Sequence, residues 1–334
     1  MGADAARLRS LFGRLHARDA RPLPVVVAWD VEPDDRLVDR RTPGPWTAFE
    51  ATLPRVEPLR NRLESLTGAP VSFSWLLRMD PQIEDTWGSP SWAADRYASV
   101  FAELTARGDE VGLHTHMWRW EAAAGVWTRD HDPAWEEHCA DTALDAFEAA
   151  FGRPCRTHRV GDRVLSQAIL GRLEERNVAV DLTVEPDKPP LARMTRKELA
   201  TALTPDYRVA PRTPYRTSPA FFPAADPAGG SGPLIMPMAC APRGRRRERK
   251  ALHLLVIPGV FELRLLRAVR SGVPVLAFAL RTDQRTVRAW DILERNLDHL
   301  ASTPGARFVT GSSAAARFAP ASAESPRVAP TAAT

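Results

Sequence analysis

The sequence VVVAWDVEPDD, residues 25–35, begins as an uninterrupted apolar run and ends in acidic residues. An apolar run of this length, followed within a few residues by a proline, is typical of a strand buried inside an α/β protein. In such folds the carboxyl ends of the strands carry the functional side chains. The segment therefore predicts a buried first strand that delivers carboxylates to an active site.

Strand-like and helix-like patterns alternate along the rest of the chain, and this alternation predicts a parallel (β/α) barrel. The expected strands cover residues 25–29, 71–77, 111–116, 178–184, 234–238, 273–280 and 306–310. The expected helices cover residues 47–65, 93–107, 141–151, 164–176, 260–269 and 287–300. Pro54 and Pro58 are expected to interrupt the first of these helices. The predicted organisation is an amphipathic helix at 1–22, a barrel domain at 23–312 and a disordered tail at 313–334.

Composition indicates a soluble globular protein, because 44% of the 334 residues are hydrophobic and the formal net charge is only +4. The basic run at 243–250 lacks interleaved aromatic residues, so it predicts a solvated loop and no nucleic-acid partner. The three cysteines show no paired spacing, which favours a reducing compartment. The amino-terminal segment lacks the apolar core of a signal peptide, and no stretch predicts membrane insertion. We therefore expect a cytoplasmic protein.

A second informative stretch is VGLHTHMW, residues 111–118. Alternation along an extended strand places His114 and His116 on one face. With a carboxylate from Glu32 or Asp34 they would suit zinc or another first-row divalent ion. The alternative is that the histidines are ordinary hydrogen-bonded residues and that the acidic residues cap a helix in a solvated turn.

Taken in order, these segments resemble the polysaccharide deacetylase family (carbohydrate esterase family 4), whose fold is an irregular, often seven-stranded (β/α) barrel. The resemblance spans most of residues 24–311. Its first motif is matched by WDVE at 29–32, which implies that Asp30 is the catalytic base. Its second motif is matched by GDEVGLHTH at 108–116. The family spaces its two metal histidines four apart, which would place the second at Trp118, so either His116 substitutes or the metal is lost.

Three later motifs follow in the family's order. The sequence HRVGD at 158–162 is similar to the third motif and implies that Arg159 orients the catalytic aspartate. The fourth motif is matched by VDLTV at 180–184, which implies that Asp181 belongs to the catalytic group. The family's next segments are matched by residues 215–218 and 235–238. The fifth motif normally supplies a histidine general acid, whereas this chain has ALRTD at 279–283, where Arg281 would stabilise an oxyanion.

The resemblance implies a metal-dependent hydrolase that removes an N-acetyl or similar acyl group from a saccharide or related amide. Four residues near the strand ends are candidate substrate contacts: Arg78 and Asp80, with Arg78 holding an anionic group, and Trp75 and Trp118, stacking on sugar rings. Surface ion pairing and core packing are the alternatives for these side chains. Two other functions stay open: a metal-free or inactive protein that binds a carbohydrate or small polar ligand, and a metal-free amidohydrolase.

Overall fold

The computed structural model describes residues 22–35, 37, 40, 42–191, 194–195, 198–200, 203–218, 221–241 and 251–318. The helix expected at 1–22 lies outside the described residues except for residue 22. The basic run at 243–250 also lies outside them.

The described residues form twelve strands and ten α-helices. The strands are β1 Leu23–Val31, β2 Ser74–Arg78, β3 Glu110–Thr115, β4 Arg119–Glu121, β5 Val126–Arg129, β6 Thr157–Val160, β7 Val180–Asp181, β8 Met194–Thr195, β9 Glu198–Ala200, β10 Leu234–Ile235, β11 Leu276–Arg281 and β12 Ala306–Phe308. The helices are α1 Thr47–Thr67, α2 Pro81–Trp87, α3 Trp92–Arg96, α4 Ala98–Ala106, α5 Pro133–Phe151, α6 Gln167–Glu175, α7 Pro258–Arg270, α8 Gln284–Arg288, α9 Trp290–Ala301 and α10 Gly311–Ala316.

Seven parallel strands lie side by side in the order β10-β7-β6-β3-β2-β1-β11, and β12 pairs with the beginning of β1. A parallel bridge between Met238 and Ala277 links the chain after β10 to β11, at the other end of this row. The sheet therefore curls round on itself, and the predicted seven-stranded (β/α) barrel is confirmed. A separate small sheet has the order β4-β5-β9-β8.

Alternation along the strands sorts the apolar core into two layers. On β1, Val25, Val27 and Trp29 belong to the large cluster between sheet and helices. Val26 and Ala28 belong to a smaller cluster inside the barrel. Because both faces of β1 are buried, its side chains are apolar on both sides along most of its length. At its carboxyl end the inward-facing positions become charged.

Two details of the expected organisation are corrected by the structure. α1 runs through Pro54 and Pro58 without a break. Each proline removes one backbone hydrogen bond, and the buried face of the helix holds it together by packing. Residues 313–318 are not a disordered tail, because α10 buries Ala314 and Ala315 against the barrel interior. Residues beyond 318 lie outside the described part of the chain.

Within the part of the chain that the structure describes, no helix combines the length and the apolarity needed to span a membrane.

Candidate metal centre and active-site cavity

A cavity of about 390 Å³ lies at the carboxyl ends of the barrel strands. Asp30 at the end of β1, His114 on β3, Arg159 on β6 and Arg281 at the end of β11 all line it. Each of these residues has the inward parity of its strand, since at least one of its neighbours along the chain belongs to the outer core layer: Trp29 and Val31, Leu113, Val160 and Leu280 respectively. The strand pattern alone therefore directs four polar side chains from four strands into one space.

Glu32, His114 and His116 form the metal-binding candidate of this cavity. Their potential ligand atoms all lie within 4.8 Å of one another. The Nε2 atoms of His114 and His116 are 3.1 Å apart, and the Glu32 carboxylate lies 3.6 Å from Nε2 of His116. Two nitrogens bound to one zinc ion at about 2.0–2.1 Å would be separated by roughly 3.3 Å in tetrahedral geometry. The two imidazoles thus have the spacing of ligands that share an ion.

Hydrogen bonds from the Nδ1 atoms determine the tautomer of His114 and His116. Nδ1 of His114 donates to the backbone carbonyl of Arg159 at 3.1 Å, and Nδ1 of His116 donates to the Asp162 carboxylate at 3.1 Å. Both acceptors lack a proton, so in the neutral rings the two Nε2 lone pairs face each other. A cation between them would remove this repulsion, and a carboxylate behind a ligating histidine is a common support in metal sites.

Gly161 makes room for the second histidine. A Cβ atom at this position would lie 2.2 Å from both Cε1 and Nε2 of His116 and 2.6 Å from Cδ2. The next residue, Asp162, has a φ of 52°, a left-handed conformation that aspartate tolerates better than most residues. The turn after β6 therefore brings a hydrogen-bond acceptor over the His116 ring while leaving space for the ring itself.

Glu32 is held ionised inside the wall of the cavity. The side chain is 1% exposed. Burial by itself would raise its pKa, but the Arg281 guanidinium, which donates to the carboxylate, holds the pKa well below its usual value. Its Oε2 atom has no hydrogen-bond partner among the described residues. Burial, with help from His116, lowers the pKa of His114, so this imidazole stays neutral. The buried Glu32 carboxylate, with one oxygen that makes no hydrogen bond, and the neutral His114 imidazole are both suitable ligands for a divalent cation.

Asp30 lies beside this group and is paired with Arg159. The guanidinium donates to Oδ2 at 2.6 Å, whereas Oδ1 has no hydrogen-bond partner in the described part of the chain. Burial raises the pKa of Asp30 to about 6, and Arg159 opposes the rise. The arrangement leaves one carboxylate oxygen, oriented from behind, available to accept a proton.

Asp34 does not join the metal candidate. Beyond Pro33 the chain turns away from the cavity, and both carboxylate oxygens are used at the start of α1. Oδ1 accepts the backbone N–H of Ala48 at 2.8 Å, and Oδ2 accepts the Thr47 hydroxyl at 2.5 Å and the Gln284 amide at 2.9 Å. This corrects the choice that the sequence left open between Glu32 and Asp34.

Arg78 and Asp80 lie in the barrel core and not in the cavity wall. Arg78 is 0% exposed and donates two hydrogen bonds, each 2.9 Å long, to Asp80. Asp80 also accepts the backbone N–H of His116 at 2.9 Å and of Gln82 at the start of α2. The expectation that these residues contact substrate is therefore corrected: the pair supports the chain around His116 from below.

The two tryptophans expected to stack on sugars are also buried. Trp75 stacks on Trp29 in the outer core layer and donates its indole N–H to Asp109 at 2.8 Å. Trp118 is 1% exposed and donates to the Asp162 carboxylate at 3.0 Å. Core packing, the commoner fate of tryptophan, decides both positions.

Asp181 was expected in the catalytic group, but the structure places it below the cavity. It is 0% exposed, and its Oδ2 lies 2.8 Å from Nδ1 of His158. The other ring nitrogen of His158 lies 3.0 Å from the hydroxyl of Thr115, which separates the two site histidines. Asp181 therefore supports β3 and β6 and does not line the cavity.

Several cavity residues escaped the sequence reasoning. Asp162 stood within a recognised motif but carried no assigned role, and its position next to Gly161 was the only available signal. Arg163, Glu185, His253 and Arg285 also line the cavity. They come from connecting segments and from a short helix, where no periodic pattern indicates which way a side chain points.

Comparison with known proteins finds a likeness in structure. No family model and no curated protein matches the chain. A protein assigned as a polysaccharide deacetylase from Mycobacterium smegmatis aligns over 90% of this chain and 92% of its own, with a TM-score of 0.50 at 13% identity. A protein assigned as a glycoside hydrolase/deacetylase from Parabacteroides distasonis aligns over 89% and 71%, with a TM-score of 0.53 at 13% identity.

The chain has the fold of the polysaccharide deacetylases. This is the fold that the ordered sequence motifs imply. At such low identity the likeness concerns the fold, and the chemistry of this deacetylase-fold protein depends on its own side chains.

Proposed function

We propose that this protein is a metal-dependent hydrolase that removes an N-acetyl or similar acyl group from a saccharide or related amide. One observation carries the proposal: Glu32, His114 and His116 converge at the floor of a cavity whose adjoining wall holds Asp30 and Arg159. A deacetylase needs an electrophile and a base next to each other, and these residues supply the groups for both.

Glu32, His114 and His116 would hold the ion, and zinc fits their two nitrogens and one carboxylate best among common divalent metals. Bound there, zinc would polarise the acyl carbonyl and make water acidic enough to lose a proton near neutral pH. Three protein ligands are the usual number in catalytic zinc sites, where a further position stays open for substrate or water.

Asp30 is the proposed base. Its free Oδ1 accepts a proton from water, while Arg159 keeps the carboxylate oriented through Oδ2. The water oxygen then bonds to the acyl carbon, the carbon–nitrogen bond breaks, and the proton passes to the leaving nitrogen. The products are a free carboxylic acid and an amine.

Arg281 is proposed to stabilise the negative charge that develops on the acyl oxygen. It lines the cavity, it is bound to Glu32, and one of its terminal nitrogens has no hydrogen-bond partner among the described residues. Its permanent charge suits stabilisation of an oxyanion better than donation of a proton.

The test begins with metal content, measured by elemental mass spectrometry on protein purified without a histidine tag. We expect close to one divalent ion per chain, lost in His114→Ala and retained in His138→Ala, a matched control on the exposed face of α5. Release of acetate from N-acetylated oligosaccharides should occur in the metal-containing proteins and be lost in His114→Ala. A protein that binds no metal after reconstitution, or that keeps its metal in His114→Ala, would overturn the proposal.

A further inference from the structure

Arg285, on α8, differs from the other arginines that line the cavity. The other three each face a carboxylate. The pairs are Arg159–Asp30, Arg281–Glu32 and Arg163–Glu185. Arg285 has no carboxylate within ion-pair distance among the described residues, and it is exposed on the cavity wall. Its positive charge is therefore available to a bound molecule.

The remaining carboxylates of the wall are already committed. Asp162 accepts hydrogen bonds from His116 and Trp118. Asp283 accepts the backbone N–H of Thr286 at 2.9 Å, as the residue that caps α8, and lies 3.6 Å from Arg281. The charge of Arg285 is thus not neutralised by any acidic side chain of the described wall.

His253 adds a second donor to the cavity wall. Its Nδ1 accepts the backbone N–H of Leu255 at 3.2 Å, so in the neutral ring the proton is on Nε2. The ring reaches the surface, yet the surrounding wall removes enough water to lower its pKa, and the charge of Arg285 lowers it further. A neutral imidazole of this form donates a hydrogen bond.

We propose that Arg285 and His253 bind an anionic group, a carboxylate or a phosphate, carried by the acylated substrate, an inference that rests on the proposed function of the same cavity. A guanidinium offers paired donors that match the oxygens of either group. The cavity volume of about 390 Å³ lies within the range of small-molecule sites, so a sugar ring and its charged substituent can share it.

The test is calorimetric binding of three sugars: neutral N-acetylglucosamine, its 6-phosphate, and N-acetylmuramic acid, which carries a carboxylate. We expect at least one anionic sugar to bind about tenfold more tightly than the neutral one. The stronger of the two identifies the anion as phosphate or carboxylate. Arg285→Gln should remove the preference, and Arg285→Lys should keep part of it.

Arg288→Gln is the matched control, since it removes the same charge from the same exposed helix outside the cavity. It should leave the preference unchanged. Equal affinity for all three sugars, no binding of either anionic sugar at millimolar concentration, or an equal loss in Arg288→Gln and Arg285→Gln would each overturn the inference. Circular dichroism checks that the variants are folded.

His114→Ala separates this inference from the proposed function. That variant should lose its metal and its hydrolytic activity but still bind the anionic sugar more tightly. If the wild-type protein binds no metal but prefers anionic sugars, the proposed hydrolase function is overturned and the proposed anion site is supported. Metal-dependent hydrolysis without any preference for anionic sugars would support the hydrolase function and overturn the anion site.

Discussion

Replacement of Gly161 by alanine tests whether the His116 ring is a metal ligand. The new Cβ would lie 2.2 Å from Cε1 and Nε2 of that ring, whereas carbon atoms in contact are normally about 3.5–4.0 Å apart. The ring must therefore move by more than about 1 Å, while metal–ligand distances tolerate only about 0.2 Å. Removal of a group that merely supports a ligand costs 10–100-fold in affinity, so displacement of the ligand should cost at least about 100-fold, or about 2.8 kcal/mol.

Metal affinity of the Gly161→Ala variant is measured by competition with a chelating dye, and its folding by urea denaturation. Gly171→Ala is the matched control: it lies on α6, and a Cβ there meets no atom within 4 Å. This control should bind metal as the wild type does and gain up to about 1 kcal/mol of stability from helix propensity. A Gly161→Ala protein that is folded and binds metal with wild-type affinity would refute the assignment of His116.

Three further predictions follow from the same contacts. Asp162→Asn should weaken metal binding about 10–100-fold in the dye competition assay, and unchanged affinity would contradict its supporting role. Asp30→Asn should lower kcat for acyl hydrolysis by about 10²–10⁴-fold with metal content unchanged, and near-normal turnover would exclude it as the base. Asp109→Ala should destabilise the fold by about 3–5 kcal/mol in urea denaturation, because the buried Arg60 would lose its only buried carboxylate among the described residues and keep just the half-exposed Glu57. Glu57→Ala, which removes the half-exposed carboxylate from the same Arg60, is the control and should change stability by less than about 1 kcal/mol.

Much of the site could be predicted from strand alternation. The inward parity of β1 continues from Val26 and Ala28 to Asp30 and Glu32, and the His114 and His116 pair needs only one extended strand to share a face. The direction of each of these side chains depends only on its position along one strand, so it can be predicted from the sequence. Asp34 lies beyond Pro33, where the strand ends and parity no longer determines direction.

What could not be predicted depends on the contacts between strands and helices. Alternation separates two faces of β2, but it does not reveal that both are buried, so Trp75 was expected in the cavity although it stacks on Trp29 in the outer layer. Arg78 has the inward parity, yet Asp80 neutralises it inside the barrel. In a sequence, a buried arginine that pairs with a carboxylate two residues away looks the same as one that awaits a substrate.

The position of Trp118 indicates that the altered histidine spacing is a coordinated feature of the site. The family pattern would place a ligand at 118, and here the indole at that position binds Asp162, which in turn binds His116. Gly161 leaves the space that the His116 ring fills. The placement of the His116 ring thus depends on three other positions, two of them in the turn after β6. If His116 is a metal ligand, as proposed, substitution at any of the three positions should therefore weaken metal binding, and unchanged affinity in all three variants would contradict the assignment.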